Sequence, residues 1–142
     1  MSDISRGSDS ENIISFVSFL AIVLMVMWVR SVSPAMLVKY QLDKAAHFFV
    51  SFFLATLFYS VMAQYRWGTL RTAVFAGGWA LILGWIREAG EYFGFVANME
   101  RFTPQYGAEV TYDLLANACG VALFFLSVRV LRKYFFRRMA SE

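Results

Sequence analysis

The stretch "DKAAHFFVSFF", Asp43 to Phe53, decides how this chain is read. It opens on an acid, a base and the only histidine, His47, and continues as an apolar run. From Ala45 to Ala63 that run is close to the length a bilayer demands, since about 20 helical residues at ~1.5 Å each cover ~30 Å of hydrocarbon. A membrane-bound helix with three polar side chains in its first turns needs partners for them elsewhere in the chain.

Composition extends the same reading to the whole protein. Of 142 residues, 59% are hydrophobic and only 16% are charged, against about a quarter charged in ordinary soluble domains. A soluble chain of this length has too little interior to hide so much apolar surface. Three further segments match the span at 45–63: 13–29 ("IISFVSFLAIVLMVMWV"), 72–93 and 110–131. The expected fold is therefore all-α: an integral membrane four-helix bundle over residues 13–133. Residues 1–12 form a polar, disordered tail and residues 134–142 a basic one.

Charge sets the direction. With four spans, both termini and the middle loop share one side. That side carries Arg6, Arg66, Arg71, Arg129, Arg132, Lys133, Arg137 and Arg138; the other carries Arg30, Lys39, Lys44, Arg87 and Arg101. The excess places both termini in the cytoplasm. The net charge of +3 arises from the terminal cluster "RVLRKYFFRR". A basic helix flank explains it without nucleic acid, and the same cluster suits anionic membrane lipids. Asp3, Asp9 and Glu11 around Arg6 do not make a signal-peptide start, so the first span is expected to stay as an anchor. Ser31, Ser33 and Ala35 keep a cleaved leader open as the alternative.

The loops and single residues add less. The first outer loop contains Pro34. The last, "ANMERFTPQYGAE", has turn signals at Thr103-Pro104 and Tyr106-Gly107. Trp28 and Trp67 fit interfacial anchors. Cys119, the only cysteine, excludes an intramolecular disulfide and is expected as a small packing residue.

The topology brings polar residues to one depth. Asp43, Lys44 and His47 begin the second span, Arg87, Glu88 and Glu91 end the third, and Asp113 and Asn117 begin the fourth. Four-residue spacing puts Asp43 with His47, Arg87 with Glu91, and Asp113 with Asn117 on shared helix faces. Ala76, Ala80 and Gly84, and Ala116 with Gly120, form small-residue stripes that let helices approach closely. Simpler roles stand beside the chemical ones. Asp43 suits an N-cap, Lys44 a snorkelling side chain, Arg87 a counter-charge for Glu88 or Glu91, and Asn117 an interhelical tie. Asp113 and Thr111 both suit the start of the fourth helix.

Chemically, His47, Glu88, Glu91 and Asp113 are the catalytic candidates, with Asp43, Lys44, Arg87 and Asn117 as binding residues. An imidazole among carboxylates serves as general acid, general base or metal ligand. For a metal, His47, Glu88, Glu91 and Asp113 are oxygen-rich, which suits Mg, Mn or Ca better than structural zinc. No HExxH, GxSxG or P-loop pattern is present.

Asp43-Lys44-x-x-His47-Phe48, Glu88-x-x-Glu91 and Asp113-x-x-x-Asn117-x-x-Gly120 together resemble the VanZ-like family of small multi-pass membrane proteins. Glu91 stands where many members have Gln, and the interval from Glu91 to Asp113 is longer than usual. These two features also resemble a neighbouring uncharacterised group with the same skeleton. The resemblance implies a multi-pass protein of the bacterial cytoplasmic (inner) membrane, with some relatives linked to glycopeptide resistance. Three functions remain open. One is an envelope enzyme acting on a lipid-linked or amphiphilic small molecule. Another is a binding, transport or antibiotic-resistance factor, expected as a homo-oligomer. The third is a polar core that only binds helices together.

Overall fold

A computed structural model describes residues 4–33, 36, 41–63, 65, 68–92 and 104–139; for 4–11, 91, 92, 104–107, 132 and 134–139 it describes the backbone alone. These residues form four helices, α1 (Ile4–Ser31), α2 (Leu42–Ala63), α3 (Thr69–Tyr92) and α4 (Pro104–Met139). Each holds a segment long and apolar enough to cross a bilayer: Asn12–Ser31, Leu42–Ala63, Thr69–Gly90 and Ala108–Leu131. The all-helical architecture and the four spans agree with the sequence reading. Pro34, Trp67 and the last loop up to Thr103 lie outside the described residues.

The helices overrun the apolar segments. Residues 4–12, expected as a disordered tail, continue α1, and the basic stretch continues α4 to Met139. Pro104 to Glu109, expected as loop, is the start of α4. Extending an existing helix costs little per residue, and proline is tolerated in a first turn because its missing N–H has no partner there. Thr111 and Asp113 therefore lie well inside α4 and cap nothing. At the head of α2, Gln41 takes a left-handed φ of 53°. Its carbonyl accepts from the Lys44 and Ala45 amides at 3.1 and 3.4 Å. Asp43 falls inside the first turn, where its charge complements the helix dipole.

Burial is the inverse of a soluble protein's. The interior holds small or polar side chains, among them Ala55, Ala73, Ala76, Ala80, Ser51 and Thr72, with Phe124 as the main bulky exception. Large apolar side chains such as Phe16, Phe19, Leu24, Trp85 and Leu126 face outward. Acyl chains are the solvent such a surface suits. Cys119 is also on the outside, which corrects its expected packing role. The outer face of a membrane helix accepts a small apolar thiol as readily as a core does.

α2 occupies the centre and packs on α1, α3 and α4, while α3 also touches α4. The expected stripe on α3 is buried at Ala76 and Ala80. Against α4 the approach is closest at Gly120, where an added Cβ would collide with the Phe48 carbonyl oxygen of α2. α1 packs chiefly on α2. Ser15 Oγ and Ser60 Oγ lie 2.6 Å apart at one end, and Ser18 is buried there.

Gly120→Ala is expected to destabilise by about 1–3 kcal/mol, because backbone rather than a mobile side chain blocks the methyl group. Gly78→Ala, with nothing within 4 Å of its Cβ position, is expected to be neutral or stabilising by up to about 1 kcal/mol. Melting of both purified variants in detergent checks the pair, and equal melting would refute the close α2–α4 approach.

Candidate functional site

The site grows from one face of α2. Asp43, His47, Ser51 and Ala55 recur every four residues, so they stack along one line of the helix. Lower on this line Ala55 is fully buried and only packs; higher up, His47 and Ser51 meet polar side chains of α3 and α4. His47 lies five residues into its span, and Asp113 five residues into that of α4. Both therefore sit about 7.5 Å along the helix from the start of the apolar segment.

His47, Glu88 and Asp113 meet there. Each offers one ligand atom, and all three atoms lie within 4.8 Å of one another. Glu88 is 4% exposed, His47 7% and Asp113 8%. Nδ1 of His47 is 3.6 Å from Glu88 Oε1, and Nε2 is 3.7 Å from Asp113 Oδ1. The ring thus stands between two carboxylates held by two other helices.

Cations surround them. Lys44 Nζ reaches Asp43 Oδ2 at 2.7 Å and Asp113 Oδ1 at 2.6 Å. It bridges two helices instead of snorkelling outward. Arg87 NH1 lies 3.4 Å from Glu88 Oε1 and 3.1 Å from His47 Nδ1, and it also touches Nε2. Its side chain remains half exposed. Arg87 is therefore a counter-charge for Glu88, as expected, and a cover over the imidazole as well. Asp43 spends its carboxylate on Lys44 rather than on a cap.

Three carboxylates, Asp43, Glu88 and Asp113, thus share two cations, Lys44 and Arg87. A divalent ion at His47, Glu88 and Asp113 would compete with both cations for the same oxygens.

Asn117 does two things. Its Oδ1 accepts from Ser51 Oγ at 2.6 Å, tying α4 to α2. Its side chain also rests on Gly84 of α3, where an added Cβ would come within 2.8 Å of Nδ2. That Nδ2 has no hydrogen-bond partner among the described residues, although Asn117 is 3% exposed. Glu91 lies in the last turn of α3, and its side chain is outside the described residues.

Above the cluster, α1, α2 and α3 enclose a cleft of about 510 Å³. Its polar lining is Arg30, Asp43, His47, Ser51, Arg87 and Asn117. Its apolar lining includes Met25, Val26 and Val29 of α1, Leu54 of α2 and Leu83 of α3. Glu88 and Asp113 lie behind the imidazole rather than in the cleft wall.

Sequence reasoning missed Ser51 and Arg30. Ser51 was within reach, since it continues the four-residue line of Asp43 and His47. Arg30 gave no such signal: a basic residue at a span end is the ordinary pattern. No protein-family model matches the chain, and neither does a curated protein or a solved structure.

Lys44→Met is expected to cost about 3 kcal/mol, because it strands the Asp113 carboxylate in the interior. Lys44→Met with Asp113→Asn should recover most of that loss. Melting of single and double variants tests this; a double variant no more stable than the single would contradict the bridge.

Proposed function

We propose that this protein is a multi-pass membrane enzyme of the VanZ-like family in the bacterial cytoplasmic membrane. It works by acid–base chemistry on the polar end of an amphiphilic envelope molecule. One observation carries the reading: His47 lines an open amphipathic cleft while two buried carboxylates from different helices flank its ring. The three motifs that carry the family resemblance supply these residues. The excess of basic residues on one side puts both termini in the cytoplasm and the site near the outer rim.

In this mechanism His47 takes a proton from a water or substrate hydroxyl as that oxygen attacks, then returns it to the leaving oxygen. A neutral imidazole accepts that proton and the imidazolium so formed donates it back. Glu88 and Asp113 hold the ring and stabilise the charge it gains. Lys44 keeps Asp113 in place, and Arg87 faces the polar end of the substrate. Mg, Mn or Ca is a further proposed ligand of His47, Glu88 and Asp113, in exchange with Lys44 and Arg87.

The Ser51–Asn117 bond and the contact of Asn117 with Gly84 favour a second reading, in which the polar set only joins helices. Proton- or ion-coupled flux through vesicles would instead support transport.

The test uses the full chain in vesicles of bacterial envelope lipid extract, with lipid products followed by mass spectrometry. His47→Gln and Glu88→Gln are each expected to lower turnover by about 10²–10⁴-fold while melting near the wild type. Undiminished turnover in folded His47→Gln, or no lipid product from the wild type, would sink the enzyme reading.

A further inference from the structure

We infer that the cleft beside His47 binds an amphiphile whose head is uncharged and carries neighbouring hydroxyls, as glycerol and sugar heads do, and that Asp43 recognises one of them. This inference rests on the acid–base reading above and names the class of molecule.

The charges around the cleft are already engaged. Arg87 lies 3.4 Å from Glu88 and also contacts the imidazole. Lys44 holds Asp43 at 2.7 Å and Asp113 at 2.6 Å. Arg30 stands at the end of the α1 span, where a basic side chain reaches the head-group layer by snorkelling. An anionic head would add negative charge where Asp43, Glu88 and Asp113 already outnumber Lys44 and Arg87. A cationic head would meet Arg30 and Arg87 in the same wall. An uncharged head breaks no ion pair and avoids both penalties.

Asp43 makes hydroxyls the fitting head. Among the described residues it is the one carboxylate in the cleft wall, and its side chain is 38% exposed. Lys44 takes Oδ2, and Oδ1 accepts no hydrogen bond among the described residues. A carboxylate only accepts, so it selects a group with a proton to donate. Four residues on, about 6 Å along α2, His47 lines the same wall. A head with hydroxyls on neighbouring carbons can place one on Asp43 and the next beside the imidazole, where acid–base chemistry needs a proton to move. Asp43 is then a positioning residue for the hydroxyl that reacts. The remaining wall, with Val26 and Val29 of α1, Leu54 of α2 and Leu83 of α3, is apolar and suits an acyl chain. A volume of about 510 Å³ falls within the ~300–1,000 Å³ of small-molecule sites and holds such a head with the first part of one chain.

The purified full chain in an amine-oxide detergent, which carries no hydroxyl, tests this by binding alone, read by native mass spectrometry. Four ligands with the same acyl chain are compared. Monoacylglycerol carries the neighbouring hydroxyls, and the propyl ester lacks only those. Lysophosphatidic acid carries an anionic head and the choline ester a cationic one. Monoacylglycerol is expected to bind at least about tenfold more tightly than each of the others, the worth of one hydrogen bond to a carboxylate. Asp43→Ala should bring monoacylglycerol down to the level of the propyl ester, while Asp43→Asn, which retains an acceptor oxygen, should keep part of the preference. Neither change strands a buried charge, because Lys44 keeps Asp113; melting confirms that both variants are folded. If Asp43 serves only Lys44, Asp43→Ala lowers melting and leaves the preference intact, and the inference falls. Monoacylglycerol binding no more tightly than the propyl ester, or less tightly than either charged lipid, overturns it as well. The acid–base reading stands or falls separately, on turnover by His47→Gln.

Discussion

Glu88 and Asp113 cannot be carried into a low-dielectric interior without nearby cations, and the end of the bundle is organised around meeting that demand. Lys44 and Arg87 supply the two charges, from α2 and α3. The imidazole of His47 fills the space between the carboxylates. Arg87 and Glu88 share α3, but Lys44 meets Asp113, and His47 meets both carboxylates, only when α2, α3 and α4 share one register. A shift of one helical turn, about 5.4 Å, would part Asp113 from Lys44 and the imidazole from both carboxylates. The same constraint explains the glycines. Gly120 lets α4 reach the backbone of α2, and Gly84 leaves room for Asn117. Side chains on these glycines would hold the helices too far apart for contacts of 2.6 to 3.7 Å.

α1 obeys a different constraint. It takes no part in the charge balance, and its surface is mostly large apolar side chains facing outward. Ser15 meets Ser60 of α2 at 2.6 Å, while Met25, Val26 and Val29 nearer Arg30 line the cleft. The fold thus has a cleft that His47 lines and that Glu88 and Asp113 do not. The charged cluster belongs to α2, α3 and α4, and α1 lines the cleft beside it.

Much of this was legible in the residues. Span length and hydropathy pick out four helices long and apolar enough to cross a bilayer, and alternating direction along the chain then brings His47, Glu88, Asp113 and Asn117 to one end. Four-residue spacing assigns the faces of α2 and α4. What stayed hidden depended on choices among partners. Lys44 was as suited to snorkelling as to bridging; proximity to Asp113 selects the bridge, which depends on how far α4 slides along α2. Pro104 and Gly107 signal a turn in isolation, yet continuing an adjacent helix outweighs that local preference. Arg30 looks like any flanking cation until α1 is placed against the cleft.

The distribution of satisfied and unsatisfied groups separates a polar core from a working site. A cluster whose only task is to join helices gains most when every donor and acceptor is used, since a buried group without a partner costs about 1–3 kcal/mol. Ser51 and one atom of Asn117 follow that rule. The other end of the same amide does not, and the imidazole and Arg87 sit at an open cleft instead of in a sealed interior. Moving Asn117 Nδ2 onto an acceptor, or closing α1 over His47, would make a more stable bundle from nearly the same residues. The open wall beside the imidazole is therefore difficult to explain by helix association alone.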